Sequence, residues 1–565
     1  MKTWKRPAMV DWYGPRQLAM TGVKKLLSTL LGSMIDTRRL QVRSGRDEDC
    51  VVDYSQSEEF CFDYMADTGD GWDSTYSMAY LLTRPYIEVS GERLERADIA
   101  ILGGDEVYPV ASRRLYAQRL VSPFNQAPRD IRKEPEFSRL ERTDLFMIPG
   151  NHDWYDSLGA FSRRFLAYRV SGELKTRALG QFDVRQVRSY FVLKLPHDWE
   201  VWAIDVQLGH DIDNDQYIFF RKHAETIGPQ TRIILCLAEP TIVSGQSKQE
   251  SGLEFNVNRI TWLAYNKGAR VLVQLAGDIH NYQRYQVEAQ TRAPGEGNQK
   301  KPYTRQNIVS GGGGAFLHTN HGFNKGSDEN PRIEPLQRYP DRDTSRRLTK
   351  KVILFAFTHK GVAALIGLLY LAFFWPSARP PDFIDEYPFP PDIYTILAWY
   401  PFEHPGTFLL MLIAVGGCAA FAGFDSFKTK LLGIAHGIAH IALAILCWGL
   451  GFGAADLLLE PLPPEARYSL LATVYLPRLL VFVFGALLGG TLFGIYLWFS
   501  LNVLRLHHDE TSSGLSWPHH KHFLRCRIQG DGSLAIHVVG VDNTASEHGK
   551  HPVKTHLVEK VVVTG

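Results

Sequence analysis

Between Val352 and Leu504 the chain carries four long apolar stretches: Val352–Trp375, Gly406–Phe424, Leu431–Leu459 and Leu479–Leu504. Each is long enough to cross about 30 Å of hydrocarbon as a helix. Buried helices of a large soluble domain would need four such runs in a row with few charges, so membrane spans are expected. His359 and Lys360 interrupt the first run near its start. Everything before about residue 350 is polar and rich in Arg and Asp, so a soluble amino-terminal half is expected.

Loop charge sets an expected orientation. Arg346, Arg347, Lys350 and Lys351 precede the first stretch, Lys428 and Lys430 lie between the second and third, and Arg505 follows the fourth. The other two loops carry Asp382, Asp385, Glu386 and Asp392, and Asp456, Glu460 and Glu465. Basic residues alternate sides, as the positive-inside rule expects. A multi-pass protein follows, with the amino-terminal half and the tail facing the cytoplasm and the Pro-rich 376–405 loop outside or in a lumen. The start, Met1-Lys-Thr-Trp-Lys-Arg-Pro, has no apolar core behind it, so no signal peptide is expected. The six cysteines show no metal-knuckle or redox spacing, which fits a reduced compartment. A formal net charge of +2 argues against a nucleic-acid partner.

In the polar half, four short clusters stand where strands run out: Ala66-Asp67-Thr68-Gly69-Asp70-Gly71, Gly103-Gly104-Asp105-Glu106-Val107-Tyr108, Pro149-Gly150-Asn151-His152-Asp153 and Ala276-Gly277-Asp278-Ile279-His280. Apolar runs precede the last three, at Ile99–Leu102, Leu145–Ile148 and Val271–Leu275. An apolar run, a glycine and then a ligand-type side chain is what an α/β fold places at the carboxyl edge of its sheet. Carboxylates, an amide oxygen, a phenol and an imidazole converging there would suit a hard divalent or trivalent cation.

The ordered set Asp-x-Gly, Gly-Asp-x-x-Tyr, Gly-Asn-His-Asp and Gly-x-x-His resembles the calcineurin-like metallophosphoesterase superfamily in its purple-acid-phosphatase-like form. The wording Ala-Asp-Thr-Gly-Asp-Gly, Gly-Asp-Ile-His-Asn-Tyr and Gly-Gly-Gly-Gly-Ala-Phe-Leu-His is similar to a branch fused to membrane helices. The resemblance covers roughly residues 60–320 in scattered motifs. It implies an α/β domain, a β-sandwich flanked by helices, over 46–345, after an amino-terminal segment 1–45. A four-helix membrane region over 352–504 and a small β segment over 505–565 would follow. In that tail, Phe523–Ile528 and Leu534–Val541 flank Gly530-Asp531-Gly532 as a hairpin, a candidate to complete the catalytic sheet.

The resemblance also implies roles and a cofactor, two divalent or mixed-valence ions of Mn, Fe, Mg or Zn. Asp67, Tyr108 and His280 would hold the first metal, Asp105 would bridge, and Asn151 and Asp278 would serve the second. His152 would protonate or stabilise the leaving oxygen, oriented by Asp153. The activity implied is hydrolysis of a phosphate mono- or diester by a hydroxide bridging the metals, with a phosphorylated small molecule or a lipid headgroup as substrate at the bilayer. Two departures stand out. Gly69 occupies a position where other branches carry histidine, and Ala238, before Glu239-Pro240, stands where relatives carry a second-metal histidine. Glu239, His318 and His321 are candidates to fill that place. An oxygen-rich set favours Mn or Mg over Zn. A catalytically weak domain that senses a phosphorylated ligand and regulates the membrane helices is the rival reading, and a transporter with an accessory domain is a third.

Several residues have plain readings. Gly311–Gly314 lacks the Lys-Ser/Thr of a phosphate loop and reads as a tight turn. Asp211, Asp213 and Gln216 read as a structural helix start, and His210 as a surface histidine. Trp72 and Asp73 could line a pocket or cap and pack a helix. His436 and His440 share one face of a membrane helix, where a packing role and a cofactor, lipid or proton role stand level.

Overall fold

The computed structural model describes residues 6–20, 41, 46–171, 173–206, 209–242, 250–292, 300–321, 334–375, 404–423, 426–469, 471–545 and 553–564. The expected amino-terminal segment and the Pro-rich loop fall largely outside them. The chain divides into two compact units. The first comprises Met1–Val10, Ala19–Ser345 and Ser516–Gly565, and the second comprises Asp11–Leu18 and Arg346–Leu515.

Two eight-stranded mixed sheets form the first unit. In chain order their strands are β1 (Val51–Asp53), β2 (Phe60–Met65), β3 (Ile99–Leu102), β4 (Thr143–Met147), β5 (Arg177–Leu179), β6 (Phe182–Val184), β7 (Phe191–Lys194), β8 (Trp199–Ala203), β9 (Arg232–Leu237), β10 (Arg270–Ala276), β11 (Tyr282–Arg292), β12 (Lys300–Ser310), β13 (Gln337–Tyr339), β14 (Lys521–Ile528), β15 (Leu534–Val541) and β16 (His556–Val563). One sheet runs β1-β7-β8-β9-β10-β12-β11-β13 and the other β16-β15-β14-β2-β3-β4-β6-β5.

Fully apolar strands mark the middle of each sheet. Every residue of Ile99–Leu102 is buried, as are all but the first of Arg232–Leu237, which is what strands covered on both faces require. One hydrophobic cluster draws Phe62, Tyr64 and Ile101 from one sheet and Leu193, Val201 and Leu275 from the other. Outside it, α1 (Trp72–Thr83) contributes Met78 and Leu82 to a second cluster, while α2 (Asn214–Ala224) and α3 (Glu250–Asn266) contribute Phe220 and Leu253 to a third. The α2 start behaves as a helix cap. Asp213 accepts a hydrogen bond from the Gln216 amide at 2.9 Å, and the Gln216 side chain donates to the Asp205 carbonyl at 2.8 Å.

The tail joins the second sheet directly. β14 pairs antiparallel with β2, setting Leu524 opposite Tyr64, and β15 and β16 extend the sheet beyond it.

The second unit is helical: α4 (Lys360–Phe373), α5 (Pro405–Ala422), α6 (Phe427–Leu459) and a continuous helical run α7 (Leu471–Leu504). Three of these, α5, α6 and α7, are long and apolar enough to cross a membrane. The expected first span differs from a simple helix. Arg342–Thr358 and Lys360–Phe373 meet at a bend of 61°, so the fourth span exists only if that bent pair is counted as one. His359 occupies the break. Its Nδ1 lies 2.9 Å from Asp11 Oδ1 and its Nε2 2.8 Å from the Gly514 carbonyl, and these bonds fix the ring where the helix turns.

Candidate functional site

In both sheets the parallel strands end at one set of interlocked loops. β2, β3 and β4 run parallel to one another, as do β9, β10 and β12. The loops that follow are stitched together by backbone bonds: Asp67 N–H to Gly104 O at 2.9 Å, Ala66 N–H to Ser310 O at 3.2 Å, Gly313 N–H to Ala66 O at 2.8 Å and Gly277 N–H to Ala238 O at 3.2 Å. Asp67, Asp105 and Asp278 all take left-handed backbone conformations, with φ of 60°, 54° and 68°. That region is costly for a residue with a Cβ and persists where the surroundings over-determine it, commonly at functional sites. Packing is tight enough that a Cβ at Gly150 would collide with the Asp105 carboxylate.

Tyr108 sits at the centre. Its Oη lies 2.8 Å from Asp67 Oδ1, 3.2 Å from Asp105 Oδ2 and 3.0 Å from His280 Nε2. His280 Nδ1 lies 2.8 Å from the Phe316 carbonyl, which can only accept, so Nδ1 carries the proton and neutral His280 turns an Nε2 lone pair inward. A phenol has one proton for three acceptors. Two carboxylates and a ring nitrogen therefore face one another with too few hydrogens between them.

The protonation states respond to that crowding. Burial pushes the carboxyl groups of Asp67 and Asp105 well above the usual carboxylate range, and neighbouring carboxylates raise them further: Asp278 acts on Asp67, and Asp67 on Asp105. Burial likewise raises the Tyr108 phenol, with Asp105 and Asp67 adding to it. It lowers the His280 imidazole, helped by His318 and Lys521. Every shift favours the less charged form of its group.

The donor chemistry fits a hard cation. Among the described residues, Asp67 Oδ2 and Asn151 Oδ1 are buried without a hydrogen-bond partner. Oxygen atoms with one imidazole nitrogen suit Mn, Mg or Fe. Among the described residues no three His, Cys, Asp or Glu side chains group closely enough to cage a metal by themselves. The set reaches its donor count only with Tyr108 and Asn151.

His152 lies against this cluster. Its backbone N–H donates to Asp105 Oδ1 at 2.9 Å, and its ring stands 4.4 Å from that of Tyr108. Its Nδ1 is 2.7 Å from the Pro109 carbonyl, so Nδ1 holds a proton and Nε2 is the atom left to give or take one. The expectation that Asp153 orients this ring is corrected: the Pro109 carbonyl does so. Asp153 Oδ2 instead accepts from the amides of Gly150 and Glu106, at 2.9 and 3.1 Å, and Oδ1 from the Tyr116 hydroxyl at 2.5 Å. It holds the loop rather than the ring.

The three candidates for the missing histidine have other engagements or lie aside. Glu239 is paired with His210 at 3.0 Å, so His210 is more than a surface histidine. His318 stacks on His280, centroids 4.1 Å apart, and its Nδ1 accepts from the His280 amide at 3.1 Å. His321 is buried three residues further on. Asp278 is half-buried at the rim. Trp72 donates to Ser122 at 3.1 Å and stacks on Tyr76, a packing role, while Asp73 stands 3.8 Å from Arg6. The glycine run is a turn bound to its neighbours: Ala315 N–H donates to Asp67 O at 2.9 Å.

Two residues at the site lacked any signal in the sequence. Tyr155 is half-buried, 5.1 Å from the His152 ring, and near enough to Asp105 and Asp278 for their charges to act on it. Lys521 is fully buried and donates to the Ala315 carbonyl at 2.5 Å. Burial brings its ammonium down to about 7, with Asp70 and Asp67 opposing the fall. Asp70, from the first motif, ties the loop to distant backbone, accepting from the amides of Val10 and Phe316 at 2.7 and 3.2 Å.

No protein-family model matches this chain, and no curated protein does. Among solved structures, one described as "Structure of PhoD" is similar over 46% of this chain, at 11% identity and a TM-score of 0.27. The likeness is distant. The chain spans 58% of the length of that structure.

Proposed function

We propose that the first unit is a metal-dependent phosphoesterase, tethered to a membrane by the helices of the second and facing the cytoplasm. The observation that carries this is the meeting of Asp67, Asp105, Tyr108 and His280 around one point, with His152 alongside. Asp67, Tyr108 and His280 would hold one ion, Asp105 would be shared, and Asn151 with Asp278 would serve a second. Bound cations would supply charge neutralisation at a phosphate and an activated water, the two things phosphate-ester hydrolysis most needs.

The chain's own residues do the rest. His152, protonated, donates from Nε2 to the leaving oxygen while Nδ1 stays anchored on Pro109. The Asp105 carboxylate is fixed from one side by the His152 amide, so the ligand and the acid move together. Asp153 keeps the intervening turn rigid through Gly150 and Glu106. Substrates in this reading are phosphate mono- or diesters, with lipid headgroups favoured by the tether.

The test is metal analysis of the purified protein joined to a phosphate-release screen over monoesters, diesters and lipid phosphates. Activity that is metal-dependent and abolished by Asp105→Asn supports the reading. Undiminished release in that variant removes it.

One observation favours the rival. Ala238 offers no ligand, and the nearby Glu239 and His318 are already engaged. The second ion is thus poorly provided for, as a phospho-ligand sensor would allow. About two ions per chain favour the enzyme, and one or none favours the sensor.

A further inference from the structure

A separate concavity of about 340 Å³ lies in the first unit between α3 and the strands β10, β12 and β11. Its walls include Trp262, Tyr265 and Tyr303, with Arg305 and Glu288 as the charged lining residues. None of these belongs to the metal-type cluster.

Two features set it apart from an incidental dent. Trp262 leaves 56% of its surface exposed, and Phe255, two turns earlier on the same helix, leaves 63%. Large exposed apolar groups that gather beside a cavity mark a binding surface more often than isolated ones do. Second, among the described residues Arg305 donates its Nε to Asn307 at 2.9 Å and pairs with no carboxylate. Burial lowers its basicity, so its remaining N–H groups face the pocket partly desolvated and without an anion. The Arg305 guanidinium acts on Tyr303, whose hydroxyl accepts from the Val271 amide at 3.2 Å.

An indole and two phenols supply faces for a planar ring. The Arg305 guanidinium supplies a fork for a phosphate. Glu288 supplies an acceptor for an exocyclic amino group. The volume matches one small ligand rather than a polymer. We infer that this pocket binds a nucleoside monophosphate, its ring against Trp262 and its phosphate on Arg305. It is a ligand site separate from the phosphoesterase centre and does not depend on it.

Equilibrium dialysis of the full chain in detergent, with chelator present throughout, tests this with AMP, adenosine and inorganic phosphate as probes. Saturable binding of about one AMP per chain is expected. Adenosine and phosphate alone should each bind about tenfold or more weaker, and Arg305→Gln and Trp262→Ala should each weaken AMP by a similar factor. Arg305→Lys should recover part of the loss by restoring charge without the fork. Asp105→Asn should leave AMP binding unchanged, whatever it does to hydrolysis. No saturable binding at millimolar AMP overturns the proposal, as does Arg305→Gln binding like the unaltered protein. AMP binding lost in Asp105→Asn but kept in Arg305→Gln would assign it to the other centre and overturn the proposal too.

Discussion

Arg525 forms a two-pronged ion pair with Asp63, 462 positions earlier, through Nε–Oδ1 and Nη2–Oδ2 contacts of 2.8 Å each. Both side chains are 2% exposed. They lie at paired positions of β14 and β2, so the pair fastens the tail to the strand that delivers Asp67. Removing one partner would strand a buried charge. Asp63→Leu alone should therefore destabilise the first unit by about 3–5 kcal/mol, whereas Asp63→Leu with Arg525→Met should recover most of that loss. Denaturant unfolding followed by tryptophan fluorescence checks both. Equal stability of the single variant and the unaltered protein would show that the pair contributes nothing.

Tyr108→Phe removes the oxygen at the centre of the cluster and leaves the ring packed on His152. The variant should keep its fold but bind metal more weakly, with hydrolysis falling in step. Iron loading gives the sharper readout. A visible absorption band in the iron-bound protein that disappears in Tyr108→Phe places the phenolate on the metal, and a band that survives takes it out of the ligand set.

His152→Ala should lower phosphate release about 10²–10⁴-fold while metal content stays unchanged, because in the proposed function Nε2 moves a proton and binds no ion. Asp153→Asn should behave differently. Its oxygens secure the amides of Gly150 and Glu106, so the first loss should appear in thermal stability and metal retention. If the two variants proved indistinguishable in both measurements, the division of labour drawn from the Pro109 contact would fail.

The part of the site legible in the sequence is the part that each loop carries locally. Asp105, Asn151 and Asp278 follow glycines at strand ends, and a strand end is readable from its apolar run. The role of Asp153 is not legible locally, because adjacency in sequence says nothing about direction: on the first turn after Gly150 its carboxylate turns back to the backbone. Lys521 and Arg525 carry no local signal as site and support residues, since their partners lie hundreds of positions away. The bend at His359 was likewise hidden, because Asp11 and Gly514 fix it from both ends of the sequence. The hairpin of the tail was readable, but its partner strand was set by tertiary packing.

In the second unit, Tyr370 Oη lies 2.6 Å from His440 Nδ1, and His440 Nε2 lies 3.0 Å from His436 Nε2. His436 in turn stacks on Tyr496, with centroids 3.8 Å apart. Glycines admit these contacts, since a Cβ at Gly437 would meet Val415 of α5. In the proposed membrane setting, bonds between helices are worth little singly, so Tyr370→Phe should cost about 0.6 kcal/mol and no more than about 1.7. Detergent-driven unfolding of the full chain measures it. A larger loss would point to a role for the histidine pair beyond packing.

Lys521 gives a pH dependence with a definite sign. Its ammonium has an ordinary pKa of 10.5 and is brought down to about 7 in the fold, chiefly by burial. Between those values the unfolded chain binds the proton and the folded chain does not, so stability rises with pH across that window and is lowest, for this group, below about 7. Asp70 runs the other way at lower pH. Burial raises it from 3.8 to about 6, and stability from that group falls as pH climbs between those values. Other groups titrate as well, so the prediction is a difference. Measured by denaturant unfolding at stepped pH, the stability of the unaltered protein minus that of Lys521→Met should climb from about pH 7 towards 10 and level off below 7. A flat difference would mean that Lys521 keeps its charge in the fold, and that the Ala315 carbonyl and the Asp70 carboxylate offset its burial completely.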